Sequence, residues 1–222
     1  MAKNTVSHNE INVLNLLKCD TITTESKRGI FSYPADYPEI YIRNNFISGH
    51  LRTQGKGEGA YPIPYLQMIN DVFGNESETI EVCSRQIKVD GISTGFTVDV
   101  NPKFSPSLVT DGQTLAGIEN NRFKRWRCDP PYNEATAYKM YGVKLPSFYR
   151  LLEAGARVSK TNSLMFLLLG PTNWQICPAG IKRIGVIFLT VVPNNEIRCC
   201  NIFYKYEDAS SFGYQSQLGL LE

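Results

Sequence analysis

Histidine is almost missing from this chain of 222 residues: His8 and His50 are its only two. So sparse a supply argues against a histidine-ligated metal and against a catalytic triad built on imidazole. Cysteine is present but unpatterned. Its six copies stand at 19, 83, 128, 177, 199 and 200, with no C-x-x-C pair and no zinc-ligand spacing. No metal is expected, and reduced thiols of an intracellular protein are the simplest reading. Long hydrophobic runs are missing too. The longest, Leu164 to Leu169, falls far short of the roughly 20 residues that a spanning helix requires. No basic-then-apolar signal follows Met1, so a soluble, cytoplasmic protein with no membrane partner is expected. The formal net charge is only +2, too small to mark a nucleic-acid binder by bulk electrostatics. Any basic surface must be local.

What is present is an alternation of elements. Residues 1–59 read as an N-terminal extension, with an aromatic, turn-rich stretch at 33–38 and a glycine-punctuated basic loop at 49–59. Residues 60–208 read as one α/β domain and 209–222 as a tail. Pro62 and Pro64 open a helix running to Phe73, whose Tyr65, Leu66, Ile69, Val72 and Phe73 share one face. Strands are predicted at 79–84, 96–100, 107–111 and 123–128. Three more follow at 163–169, 184–192 and 198–206, the last two turned by Pro193-Asn194-Asn195. Helices at 134–141 and 147–156 fall between the two groups. This pattern predicts a mostly parallel sheet covered by helices, with the final strand pair as an antiparallel edge.

One string narrows the chemistry. Asp129-Pro130-Pro131-Tyr132 stands directly after the strand predicted at 123–128. Its prolines fix their own φ angles and remove two backbone donors, so the turn presents carbonyl oxygens between a carboxylate and an aromatic ring. Such a turn suits a flat, conjugated amino group: Asp129 and the Pro130 carbonyl each accept one N–H while Tyr132 stacks on the ring. A plain proline turn without chemistry is the alternative. The string resembles the fourth motif of the amino-methyltransferases, which move a methyl group from S-adenosylmethionine to an exocyclic base nitrogen. That resemblance implies a Rossmann-like class I methyltransferase fold, with Asp129, Pro130 and Tyr132 as catalytic residues. The ring of Tyr132 carries the expected role, so Tyr132→Phe is expected to be tolerated.

Ligands of open α/β sheets sit beyond the carboxyl ends of the strands, and four successive strands carry an acid near that end: Glu81, Asp99, Asp111 and Asp129. Their order resembles the first four motifs of the same family. By that resemblance Asp99 takes the ribose hydroxyls of S-adenosylmethionine and Asp111 the adenine amino group, with Glu81 and Ser84 at the first motif. A solvated strand-end carboxylate is the alternative for either aspartate taken singly. The family's glycine-rich first loop is not matched. Glu81-Val82-Cys83-Ser84-Arg85 contains no G-x-G, which leaves Ser84, Gly91 and Gly95 for a shortened cradle. Upstream, His50, Thr53, Gln54 and Lys56 resemble the family's tenth motif. The motif order is similar to the gamma arrangement, and no separate target-recognition domain is expected. A protein partner is therefore a candidate source of sequence choice.

Arg122, Lys124, Arg125 and Arg127 form a local basic cluster ahead of the proline turn. Arg122 and Lys124, with Arg52 and Lys56 upstream, are the expected phosphate contacts beside the site. Arg125 and Arg127 fit either that role or a central strand, where each charge needs a partner. The resemblance implies a methyltransferase acting on adenine N6 in DNA, cytoplasmic and nucleoid-associated. RNA, at adenine N6 or guanine N2, is the nearest alternative substrate. A non-catalytic nucleic-acid-binding module of the same fold is the alternative from another class.

Overall fold

A computed structural model describes residues 21–26, 29–34, 40–43, 63–85, 95–171, 177–191 and 196–207. Strands β1 (Thr21–Ser26) and β2 (Gly29–Pro34) form an antiparallel hairpin. The main sheet has eight strands: β3 (Ile40–Arg43), β4 (Thr79–Val82), β5 (Phe96–Asp99), β6 (Leu108–Val109), β7 (Phe123–Cys128), β8 (Ser159–Leu169), β9 (Ile181–Val191) and β10 (Glu196–Lys205). Their order across the sheet is β3-β9-β10-β8-β7-β4-β5-β6. All neighbours from β8 to β6 are parallel, and β10 runs antiparallel to both β8 and β9. This is a Rossmann-like α/β architecture, with a mostly parallel sheet and an antiparallel C-terminal pair, as the sequence led us to expect. β3 pairs parallel with β9, so the segment read as an extension contributes an edge strand to the main sheet.

The sheet is buried on both faces, and β8 shows why its sequence is uniformly apolar. Leu164, Phe166 and Leu168 belong to one core with helix α1 (Ile63–Phe73), whereas Met165, Leu167 and Leu169 belong to a second core with helix α2 (Phe148–Val158). Alternate side chains of one strand thus reach opposite faces, each covered by a helix. α1 buries Tyr65, Leu66, Met68, Ile69 and Val72 and is followed by Gly74 at φ +77, a left-handed conformation that glycine adopts without a Cβ penalty. α2 is capped by the Ser147 side chain, which accepts from the Arg150 amide. Trp126 is fully buried in the α2 core. It lies so close to Gly155 that a Cβ there would stand 2.7 Å from the indole, so the helix can approach the sheet only with glycine at that position. The helix expected at 134–141 is a single helical turn, Glu134–Thr136, continued by a π-helical stretch, Ala137–Tyr141, and ended by Gly142 at φ 66.

The chain leaves β4 toward β5 and β6, then crosses to β7 on the other side. The strand order reverses between β4 and β7, which opens a crevice outside their carboxyl ends.

Candidate active site

Asp99 ends β5, Asp111 follows β6 by two residues and Asp129 follows β7 directly. All three line one cavity of about 270 Å³, together with Cys83, Gly112, Gln113, Pro131, Tyr141 and Leu151 among others. Asp99 is almost fully buried, and its two carboxylate oxygens accept from the backbone amides of Arg85 and Asn101 at 3.0 and 2.8 Å. These bonds fix the carboxylate and leave each oxygen a further lone pair. Asp111 is exposed, and its Oδ1 accepts from the Gln113 amide at 2.8 Å. Next to Asp111, Gly112 packs so tightly that a Cβ would stand 2.6 Å from Val82 Cγ1.

Asp129 is 8% exposed. Burial pushes its carboxyl up to about 6, against the opposing pull of Arg198 and of a hydrogen bond from Tyr132. That bond is donated by the Tyr132 hydroxyl to Asp129 Oδ1. Burial and the neighbouring carboxylate in turn hold the phenol well above its usual value. The guanidinium of Arg198, on β10, lies 4.7 Å from the centre of the Tyr132 ring. The hydroxyl of Tyr132 is thus engaged with the carboxylate, a contact that the sequence reading of its ring did not include. Pro130 and Pro131 are buried at the turn.

Several expected site residues lie elsewhere. Glu81 is fully buried and forms an ion pair with Arg127. The two residues face each other in register across β4 and β7, and Arg127 also donates to Asn70 of α1 at 3.4 Å. Glu81 is thus committed to the sheet interior and is not a wall of the cavity, a correction to its expected cofactor role. The reason is parity: its side chain takes the α1 face of β4. Ser84 is buried with its amide donating to Val98 O at 3.1 Å, and its Oγ has no hydrogen-bond partner among the described residues. Arg122 and Lys124 stand at the amino end of β7, the opposite edge of the sheet from Asp129. Arg122 stacks on Phe96 and Phe123, and Lys124 pairs with Glu78 at 3.5 Å. Neither is beside the site, which corrects that expectation; a six-residue strand separates them from it by roughly 20 Å. Arg125 takes the buried alternative, donating to the carbonyls of Phe73 and Gly74 at 2.8 Å. Arg52 and Lys56, with His50, Thr53, Gln54 and Gly91, lie outside the described residues.

Sequence reasoning missed Arg198, Arg85 and Tyr141. Arg198 carried a legible signal, a cation at the head of the largely apolar strand expected at 198–206. The missing G-x-G has a backbone answer: Cys83 and Arg85 adopt φ 57 and φ 45, left-handed values at which a non-glycine costs roughly 1–2 kcal/mol. The loop keeps a glycine-like path without glycine. Among the described residues no group of three His, Cys, Asp or Glu could hold a metal, and no helix is long and apolar enough to cross a membrane.

No protein-family model matches the sequence, and neither does any curated protein. Among solved structures the chain is similar to TrmN from Thermus thermophilus, at 12% identity and a TM-score of 0.45. That likeness covers 64% of this chain and 48% of TrmN, so the chain spans less than half of TrmN's length. It is similar also to a SAM dependent methyltransferase from Aquifex aeolicus, at 11% identity and a TM-score of 0.39 over 62% of this chain and 88% of that one. An rRNA methylase from Streptococcus thermophilus matches at 6% identity and a TM-score of 0.36 over 60% and 89%. At such scores nothing about chemistry carries over from these proteins. The strand order and the acid-lined crevice define the fold without them.

Proposed function

We propose that the protein is an S-adenosylmethionine-dependent methyltransferase acting on an exocyclic amino nitrogen of a nucleobase, with adenine N6 in DNA as the leading target. One observation carries this reading: Asp99, Asp111 and Asp129, from three different strand ends, meet at one cavity.

The residues present fit the cofactor. Asp99 has spare acceptor capacity, fixed in place by two amides, for ribose hydroxyls. Asp111 is an exposed acceptor for the adenine amino group; Ser84 is fully buried and is not a lining residue of the cavity, so it adds nothing to that fit. When bound, S-adenosylmethionine supplies an electrophilic methyl group. The remaining work belongs to the chain. An aromatic amino nitrogen is a weak nucleophile because its lone pair is shared with the ring. Asp129 and the Pro130 carbonyl accept its two hydrogens, which turns the lone pair out of the ring plane and fixes its direction. The Tyr132 hydroxyl occupies Oδ1 of Asp129, leaving Oδ2 for the substrate. Above pH 6 the Asp129 carboxyl is ionised, as an acceptor must be. A base within a duplex must first be flipped out, at a cost of roughly a few kcal/mol.

Incubating purified protein and S-adenosylmethionine with DNA and, separately, with RNA, followed by mass spectrometry of the nucleosides, tests the reading. N6-methyladenine in DNA is the expected product. Methylated RNA alone moves the reading to the alternative substrate, and no methylated base in either leaves a non-catalytic module.

A further inference from the structure

Arg85 stands beside the cavity, bonded to one of its walls, without being a lining residue itself. It takes a left-handed backbone conformation, φ 45, three residues beyond β4, where the side chain most easily accommodated is none at all. Its amide donates to Asp99 Oδ2 at 3.0 Å, so its backbone is locked to the wall of the cavity. The guanidinium lies 5.1 Å from the centre of the Phe104 ring and 4.6 Å from that of Tyr141, itself a lining residue. Two aromatic rings thus hold a cation in place. Among the described residues its buried Nε has no hydrogen-bond partner and no carboxylate pairs with it. A planar fork of donors, pre-positioned by aromatic contacts and short of acceptors, is suited to a carboxylate or a phosphate.

We propose that Arg85 binds the carboxylate of the cofactor's amino-acid end, supplying by a side chain the anion contacts that a glycine-rich loop supplies by its amides. The inference rests on the proposed function and adds to it a residue outside the expected set. The carboxylate is favoured over a nucleic-acid phosphate because Arg85 is tied to Asp99, the residue assigned to the ribose of that same ligand.

Calorimetry on the full chain with two ligands tests it. S-adenosylhomocysteine carries the amino acid; 5′-methylthioadenosine has the same adenosine and lacks it. Wild type is expected to bind the first more tightly. Arg85→Met is expected to weaken S-adenosylhomocysteine about tenfold to a hundredfold, the range for a hydrogen-bonded charge pair, and to leave methylthioadenosine unchanged. Arg85→Lys, which keeps the charge but not the fork, should fall between. Arg85→Gly removes the side chain while favouring the observed backbone, so it must reproduce the selective loss with the fold intact. Equal loss of both ligands in Arg85→Gly, or none, overturns the role of Arg85. Loss of nucleic-acid affinity in place of S-adenosylhomocysteine affinity overturns it in favour of a phosphate. Wild type binding both ligands alike defeats this inference and spares the proposed function, whereas wild type binding neither defeats both.

Discussion

Glu81 and Asp129 are buried carboxylates on neighbouring strands, and each is pushed by burial above the usual carboxylate range. Their surroundings differ. Glu81 faces Arg127 across β4 and β7, inside the sheet and under α1, where the pair is closed off from the cavity. Asp129 sits where β7 ends, bordering the cavity, with a tyrosine hydroxyl on one oxygen and Arg198 acting on it electrostatically. The first carboxylate has its counter-charge built in and is therefore structural. The second lacks a direct ion-pair partner among the described residues. Its burial is costly to the fold, and that cost is what makes it a functional candidate.

The largest effect is expected at the closed pair. Arg127→Leu alone leaves Glu81 as an uncompensated buried charge and should cost about 3–5 kcal/mol, whereas Glu81→Leu with Arg127→Leu should recover most of that loss. Denaturant unfolding of the wild type and the two variants decides it, and equal losses in single and double variants would show the pair to be unimportant.

Asp129→Asn should have the opposite sign. A carboxyl raised from 3.8 to about 6 contributes stability that is complete below the unfolded value and lost as pH rises through the folded one. The wild type therefore forfeits up to about 3 kcal/mol between pH 4 and pH 7.5 through this group. Asparagine escapes that loss. The melting-temperature advantage of Asp129→Asn should grow from pH 5 to pH 7.5; an advantage independent of pH would contradict the raised carboxyl. The same variant should lower methyl transfer by about a hundredfold or more, and the wild-type rate should fall on acidification through about pH 6.

The smallest effect sharpens the role of Tyr132. Tyr132→Phe removes the bond to Asp129 and should lower kcat about tenfold, the lower range for a hydrogen bond to a charged group. Tyr132→Ala should further cost about 1–3 kcal/mol of base affinity through lost stacking. Steady-state kinetics separate the two, and a fully active Phe variant would mean that the carboxylate needs no orienting.

Much of the fold could be read along the chain. β7 falls on its expected residues 123–128, and the strands on either side of it are displaced mainly at their ends, because apolar alternation marks a strand's middle better than its limits. β8 begins four residues earlier than expected, at Ser159, since it emerges straight from α2 without a loop. Of the candidate site, Asp99, Asp111 and Asp129 were legible because each combines an acid with a strand ending, and those endings converge. Arg122 and Lys124 misled for a related reason. Closeness in sequence to the turn becomes distance in space when the intervening residues are extended.

The chain's own pattern, then, determined where the strands and helices from α1 onward form and that a rigid proline turn follows β7, while β1, β2 and β3 went unread. These are local matters of propensity, parity and fixed φ. Tertiary structure alone decided that Glu81 would meet Arg127, that Arg198 of β10 would reach Tyr132, and that Cys83 and Arg85 would hold a path suited to glycine. Each depends on which strand lies beside which, and that order follows from crossovers and shared burial across the whole sheet, which no single stretch of residues encodes.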